Sequence, residues 1–265
     1  MRRNSIFWGT VVVLLGAIML AANLKLITGN VWSFFWPGLI ILLGIWFLLG
    51  PSWRTRNLDT IQSAIPLEAS TSAEIDFHHG AGRLEVNASA RPGELINGWF
   101  TGGVTSEIHR NDGVASLKLQ TPSDVAFHGP WPGGSHGYEW VVGVTSEIPV
   151  KLAFHTGASE SVLDLSGLKV TNLSVETGAS SSVITLPANA GFTNATIKSG
   201  VASVKVHIPA GVGANIHVKS GLSGLNIDPS RFTRDGDGYL SADYSSALNK
   251  VDLFIETGIG SVDIN

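Results

Sequence analysis

Cysteine is absent from the 265-residue chain, which excludes disulfides, thiol nucleophiles and Cys-ligated zinc while leaving the compartment open. Charge is scarce: Asp, Glu, Lys and Arg make up 14% of residues, against about 25% in an ordinary soluble domain. Negative charge is missing altogether from residues 1–56, which hold Arg2, Arg3, Lys25, Arg54 and Arg56. The other 12 basic residues share positions 57–265 with all 21 acidic ones, for a net charge of −9. A nucleic-acid-binding protein would carry its basic patch on the folded part, so nucleic acid is not an expected partner. Nucleophile elbow, P-loop and dinucleotide fingerprint are all lacking. Glycoside hydrolysis needs two carboxylates flanking one cleft, whereas Asp164, Glu176, Asp252 and Glu256 are scattered, and His155 has no evident Ser or Asp partner in a motif. An enzyme is therefore not expected, and neither is a cofactor.

The acid-free head is instead apolar. Ile6 to Ala22 and Val31 to Leu49 are two long runs without a charge. At ~1.5 Å per residue each spans roughly 25–29 Å as a helix, close to the hydrocarbon core of a bilayer. A short stretch, Asn23 to Asn30, separates the runs and carries only Lys25, so residues 1–53 read as a two-helix transmembrane hairpin with spans of about 6–22 and 31–49. The second run, so soon after the first, argues against a cleaved signal peptide. Trp8, Trp32, Trp36 and Trp53 lie near the ends of the runs, where indoles favour the membrane interface. Arg2, Arg3, Arg54 and Arg56 flank the outer ends, so the positive-inside rule predicts cytoplasmic termini, a turn outside, and a cytoplasmic body.

Residues 54–73 read as a linker and irregular lead-in, and residues 74–265 as a repeat. Glycine is abundant, 31 residues, and one pattern recurs: apolar, outward, small polar or His, then Gly. It appears as Phe77-His78-His79-Gly80, Phe154-His155-Thr156-Gly157, Val175-Glu176-Thr177-Gly178, Ile197-Lys198-Ser199-Gly200, Val218-Lys219-Ser220-Gly221 and Ile255-Glu256-Thr257-Gly258. Gly157, Gly178, Gly200 and Gly221 are 21, 22 and 21 residues apart, the mark of a solenoid. After each Gly, apolar residues alternate, as in Leu163/Leu165, Ile184/Leu186, Val204/Val206/Ile208 and Val262/Ile264, which means strands. The expected fold is an all-β solenoid, right-handed and parallel β-helix-like, with coils of about 21–22 residues. Each coil would have three short strands and three corners, and the repeat Gly would be the corner residue, free to take positive φ. Equivalent residues would form outward ladders, among them His155, Glu176, Lys198 and Lys219, whose last step opposes two positive charges.

The glycine period breaks twice. Residues 121–139, rich in Pro and Gly, read as a long loop between coils, and residues 228–250 as a hairpin turning at Asp235-Gly236-Asp237-Gly238. The same Asp-x-Asp-Gly matches half of a calcium loop, but the further acids and terminal Glu of an EF-hand are missing, so a turn is expected. His78, His79 and His155 occupy matching repeat positions and raise zinc. All but His79 alternate outward, the two copies lie far apart in the chain, and a third or fourth ligand is not evident, so polar ladder residues without a metal are expected. The strand Ser261 to Ile264 has no cap after it in the sequence, which predicts self-association.

The head, with Phe7-Trp8-Gly9, Leu14-Leu15-Gly16, Phe35-Trp36-Pro37 and Leu42-Leu43-Gly44-Ile45-Trp46, resembles the membrane region of LiaI/LiaF-like bacterial proteins. The body resembles the toastrack-type ("putative adhesin") β-solenoid, most closely from Pro149 to Pro187 and from Gly238 to Val262. The resemblance implies a two-pass protein of the bacterial cell membrane, a non-enzymatic accessory of the envelope-stress response. Its expected partners are the lipid bilayer and a protein, such as a membrane sensor kinase or a second copy in a homo-oligomer. An outward-facing adhesin or envelope-binding module is the alternative.

Overall fold

The computed structural model describes residues 59–122 and 138–265. The expected membrane hairpin, with Trp8, Trp32, Trp36, Trp53, Arg2, Arg3, Arg54 and Arg56, lies outside the described residues, as does most of the 121–139 loop. The described residues form one unclosed sheet of 13 strands and no helix. Six long strands make its body: β2 (Ser72–Asn87), β7 (Pro149–Asp164), β8 (Lys169–Thr185), β9 (Phe192–His207), β10 (Val212–Ile227) and β13 (Asn249–Ile264). All six run parallel, in the order β2-β7-β8-β9-β13-β10.

Each coil is therefore one strand of 16 or 17 residues and a short link, not three short strands. The corner survives inside the strand, where the buried positions change parity at the repeat glycine. In β8, Leu173, Val175 and Thr177 point inward before Gly178, and Ser182 and Ile184 after it. In β9 the set changes from Ala195 and Ile197 to Ala202, Val204 and Val206. The strand turns its other face inward at the glycine, so both legs pack on one core.

The glycines are required for a different reason from the one expected. None of Gly80, Gly157, Gly178, Gly200, Gly221 and Gly258 has positive φ. They stack instead: a Cβ on Gly157 would lie 2.5 Å from the carbonyl oxygen of Gly80, and one on Gly178 or Gly200 2.8 Å from that of the preceding coil. Gly258 and Gly221 continue the row, each with 2.6 Å to the next glycine carbonyl. Any side chain there would push neighbouring coils apart.

The two ends of the stack differ. Beyond β2 the sheet is finished by β5 (Val114–Gln120), which pairs with Ser72 to His78, and β6 (Glu139–Val144), which pairs with Arg83 to Asn87. β4 (Thr105–Asn111) folds back on β5, and β3 (Glu94–Thr101) on β6. β1 (Thr60–Pro66), in the stretch expected to be an irregular lead-in, pairs antiparallel with β3. Large aromatics fill this end: Phe77 stacks on Phe154 at 4.7 Å, and Trp140 meets Phe100 edge-on at 5.3 Å. At the far end the hairpin is as expected, β11 (Phe232–Asp235) and β12 (Gly238–Ser241) turning through Gly236 and Asp237. β12 pairs with only Asn215 to His217 of β10.

Strand order departs from sequence order at β13, which lies between β9 and β10 with both edges paired. Ser261 to Ile264 is thus an interior strand, not an uncapped end. The uncapped edge belongs to β10, which from Val218 to Ile227 pairs on one side alone among the described residues.

Candidate functional site

The register converts the repeat into rows that cross the sheet. The outward row just before the glycines reads His78, His155, Glu176, Lys198, Glu256, Lys219. Glu256 stands between Lys198 and Lys219, so the repulsive step expected between those lysines does not exist. From Glu176 onward the row alternates in sign, which favours neighbouring strands over like-charge pairing. The next row inward reads His79, Thr156, Thr177, Ser199, Thr257, Ser220. The hydroxyls of Thr156, Thr177, Ser199 and Thr257 are buried without a hydrogen-bond partner.

Along these rows and the glycines runs an open groove of about 850 Å³, extending from His155 to Glu256. Its lining combines the alternating charges, the hydroxyl row and the bare backbone of Gly178, Gly200 and Gly258. The polar groups this surface offers to solvent are the side chains of His155, Glu176, Lys198 and Glu256, since the hydroxyl oxygens lie buried beneath them. Among the described residues that line it, nothing pairs a nucleophile with a base.

At one end of the groove the sheet gathers ionisable groups. Asp76 and His78 alternate onto one face of β2, and β7 places His155 opposite His78. His78 Nε2 lies 2.9 Å from Asp76 Oδ2, and His155 Nε2 lies 3.5 Å from Asp76 Oδ1. On its other side His155 Nδ1 is 3.4 Å from Glu176 Oε2. The two imidazoles stack at 4.8 Å, inclined by 24°. All three ligand-bearing side chains are half-buried. His78 and His155 meet because the long stretch between their copies holds the excursion β3 to β6, from which the chain returns to β2. Asp76 was not singled out in the sequence, although its position two residues before His78 puts it on the same strand face.

His79 faces the other way and is fully buried against Trp140, with ring centroids 5.0 Å apart. Neither of its nitrogens has a hydrogen-bond partner, and burial lowers its pKa to about 4. It is a core imidazole, separate from the outward pair.

A second surface lies at the β10 edge. The outward row just after the glycines reads Ala81, Ala158, Ala179, Val201, Ile259, Leu222, growing in size toward that edge. Val201, Ile259 and Leu222 are 55%, 52% and 80% exposed. Leu225, on the other face of the edge strand, is 40% exposed.

Residues 54–207 match the family model described as the N-terminal domain of toast_rack, DUF2154. Residues 6–48 match the LiaI-LiaF-like transmembrane region, which assigns the chain to a membrane. No curated protein matches the chain. Among solved structures the chain is similar to a "putative cell adhesion protein" from Clostridium sporogenes, at 19% identity and a TM-score of 0.72. That likeness covers 78% of this chain and 98% of the other, and it shows the fold. A "putative adhesin" from Parabacteroides distasonis is also matched, at 13% identity over 78% of this chain and 82% of that one, with a TM-score of 0.31.

Proposed function

Because this chain belongs to the toast-rack family and has a LiaI-LiaF-like region ahead of its sheet, we propose that it is a membrane-anchored, non-enzymatic regulator of the bacterial envelope-stress response. The hairpin holds the protein in the bilayer beside a membrane partner such as a sensor kinase. The sheet, on the cytoplasmic side, supplies the protein-binding surface. The open edge of β10 carries this reading: an unpaired strand bearing Leu222 and Leu225 and no acidic residue is a template for another strand. A capped edge would normally be twisted away, charged or covered.

The adhesin-like alternative puts the same sheet outside the cell. The alternating charge row of the groove supports it, since it suits a polar polymer such as a cell-wall glycan.

Sidedness separates the two, and the Cys-free chain makes the test clean. Single cysteines are introduced at Ser246, exposed in the β12–β13 connection, and separately at Thr28, between the two apolar runs of the sequence. Intact cells are treated with a membrane-impermeant maleimide. Labelling of Thr28→Cys alone is the expected result. Labelling of Ser246→Cys alone overturns the cytoplasmic regulator and leaves the adhesin-like reading.

A further inference from the structure

We propose that Asp76, His78 and His155 form a binding site for a divalent transition-metal ion, zinc in preference to magnesium or calcium. The donor set is two imidazole nitrogens and one carboxylate, a combination that suits zinc and its neighbours, whereas the hard cations require oxygen cages. The candidate ligand atoms, one per residue, all lie within 4.8 Å of one another. A tetrahedral ion with ~2.1 Å bonds wants its ligands roughly 3.4 Å apart. His78 Nε2 lies 2.9 Å from Asp76 Oδ2 and His155 Nε2 lies 3.5 Å from Oδ1, so the two imidazoles approach the two oxygens of one carboxylate from either side. Binding an ion requires the two ring nitrogens to converge on it together with the carboxylate, and all three side chains are partly exposed, which leaves room for that adjustment.

Two further observations point to a ligand. Asp76 Oδ1 is buried without a hydrogen-bond partner, although it lies beside the His155 ring. An orphaned carboxylate oxygen is costly unless a cation completes it. On the far side of His155, Glu176 stands 3.4 Å from Nδ1. A carboxylate on the Nδ1 side of a histidine that ligates through Nε2 is the usual partner of metal-bound histidines. Asp76 and Glu176 bring two carboxylates to the two imidazoles, negative charge that a divalent ion offsets.

The backbone of the site is rigid. β2 and β7 are paired over nearly their whole length, with Phe77 and Phe154 stacked beneath the two histidines. Three protein ligands leave a fourth position for water or for a donor from a bound partner. The ion would then sit at one end of the groove, tying β2 to β7 across the excursion of β3 to β6.

The test uses the full chain in mild detergent, stripped with a chelator and titrated with zinc chloride by calorimetry. One zinc per chain is expected. Cobalt(II) should give the visible absorption of a nitrogen–oxygen site, and thiolate bands cannot arise because cysteine is absent. His78→Gln and His155→Gln should each weaken zinc binding at least about tenfold, while Glu176→Gln weakens it less and keeps the stoichiometry. His109→Gln, on exposed β4, serves as the control and should bind as the parent does. Thermal melting without metal checks that each variant folds, and if one of the two histidine variants does not, the other decides. Absence of saturable zinc binding by the parent overturns the proposal. So does unchanged binding by a folded His78→Gln or His155→Gln protein.

Discussion

At His79 the sheet buries an imidazole beside an indole and gives neither ring's nitrogens a partner. Trp140 Nε1 is unpaired as well as both His79 nitrogens. The ring therefore stays neutral in the fold down to about pH 4, while in the unfolded chain it titrates at about 6.5. A base whose folded pKa is lowered binds protons preferentially when unfolded. Stability is accordingly lost as pH falls from about 6.5 toward 4, by on the order of 3 kcal/mol once both forms are protonated. His79→Leu removes that linkage and two orphaned nitrogens at similar volume. In mild detergent its denaturant midpoint should lie at or above the parent's at pH 7, with the gap widening steadily to pH 4.5. A gap that does not change with pH would show that burial of His79 is not what titrates. The inward direction of His79 was legible from alternation alone. Its partner Trp140 was not, because a long stretch of irregular spacing separates the two in the chain.

Among the elements, β10 departs furthest from what the repeat predicts. Its leading half is buried and flanked by β12 and β13, whereas Val218 to Ile227 has a free edge whose only charge is Lys219. Two copies related by a twofold axis would pair these edges antiparallel and extend the apolar row of Val201, Ile259 and Leu222 across the junction. The parent protein in mild detergent should therefore run as a dimer or larger by light scattering. Leu222→Lys, at a position 80% exposed, should shift it toward monomer while the fold is kept. A dimer that survives the substitution would assign association to the membrane segment instead. Self-association follows from the sequence as well, but attached to the wrong strand. Ser261 to Ile264 looks terminal in the chain, and only tertiary pairing reveals that it is enclosed. The coils at Gly157, Gly178 and Gly200 were readable because their spacing equals one turn of the stack. β1 escaped because its alternation is short and ends in Pro66. The candidate metal cluster was half legible: the matching positions of His78 and His155 are visible in the repeat, but their adjacency depends on a chain return that spacing cannot show.

For the whole molecule, the decisive feature is that the last strand enters the stack one place early. Gly221 follows Gly200 by 21 residues, the same interval that links true neighbours, so sequence spacing alone puts β10 directly on β9. That arrangement would oppose Lys198 and Lys219. With β13 interposed, Glu256 faces both lysines, and Ile255 continues the buried row from Ile197 to Val218. The charge pattern thus favours the observed order over the simple solenoid, while the core row is apolar in either, at the cost of a connection through the β11–β12 hairpin. The two orders predict different crosslinks. Adjacent strands lie about 4.8 Å apart and the next but one about 9.6 Å, while a disulfide needs Cα atoms within roughly 7 Å. In the Cys-free background, Lys198→Cys paired with Glu256→Cys, and Glu256→Cys paired with Lys219→Cys, should oxidise to intramolecular disulfides. Lys198→Cys paired with Lys219→Cys should not. Mobility on a non-reducing gel and peptide mass mapping distinguish the products. Crosslinking of the last pair, with failure of the other two, would restore sequential stacking and move the open edge to β13. Crosslinking of the first two alone places the closing strand inside the stack and leaves β10 as its open edge.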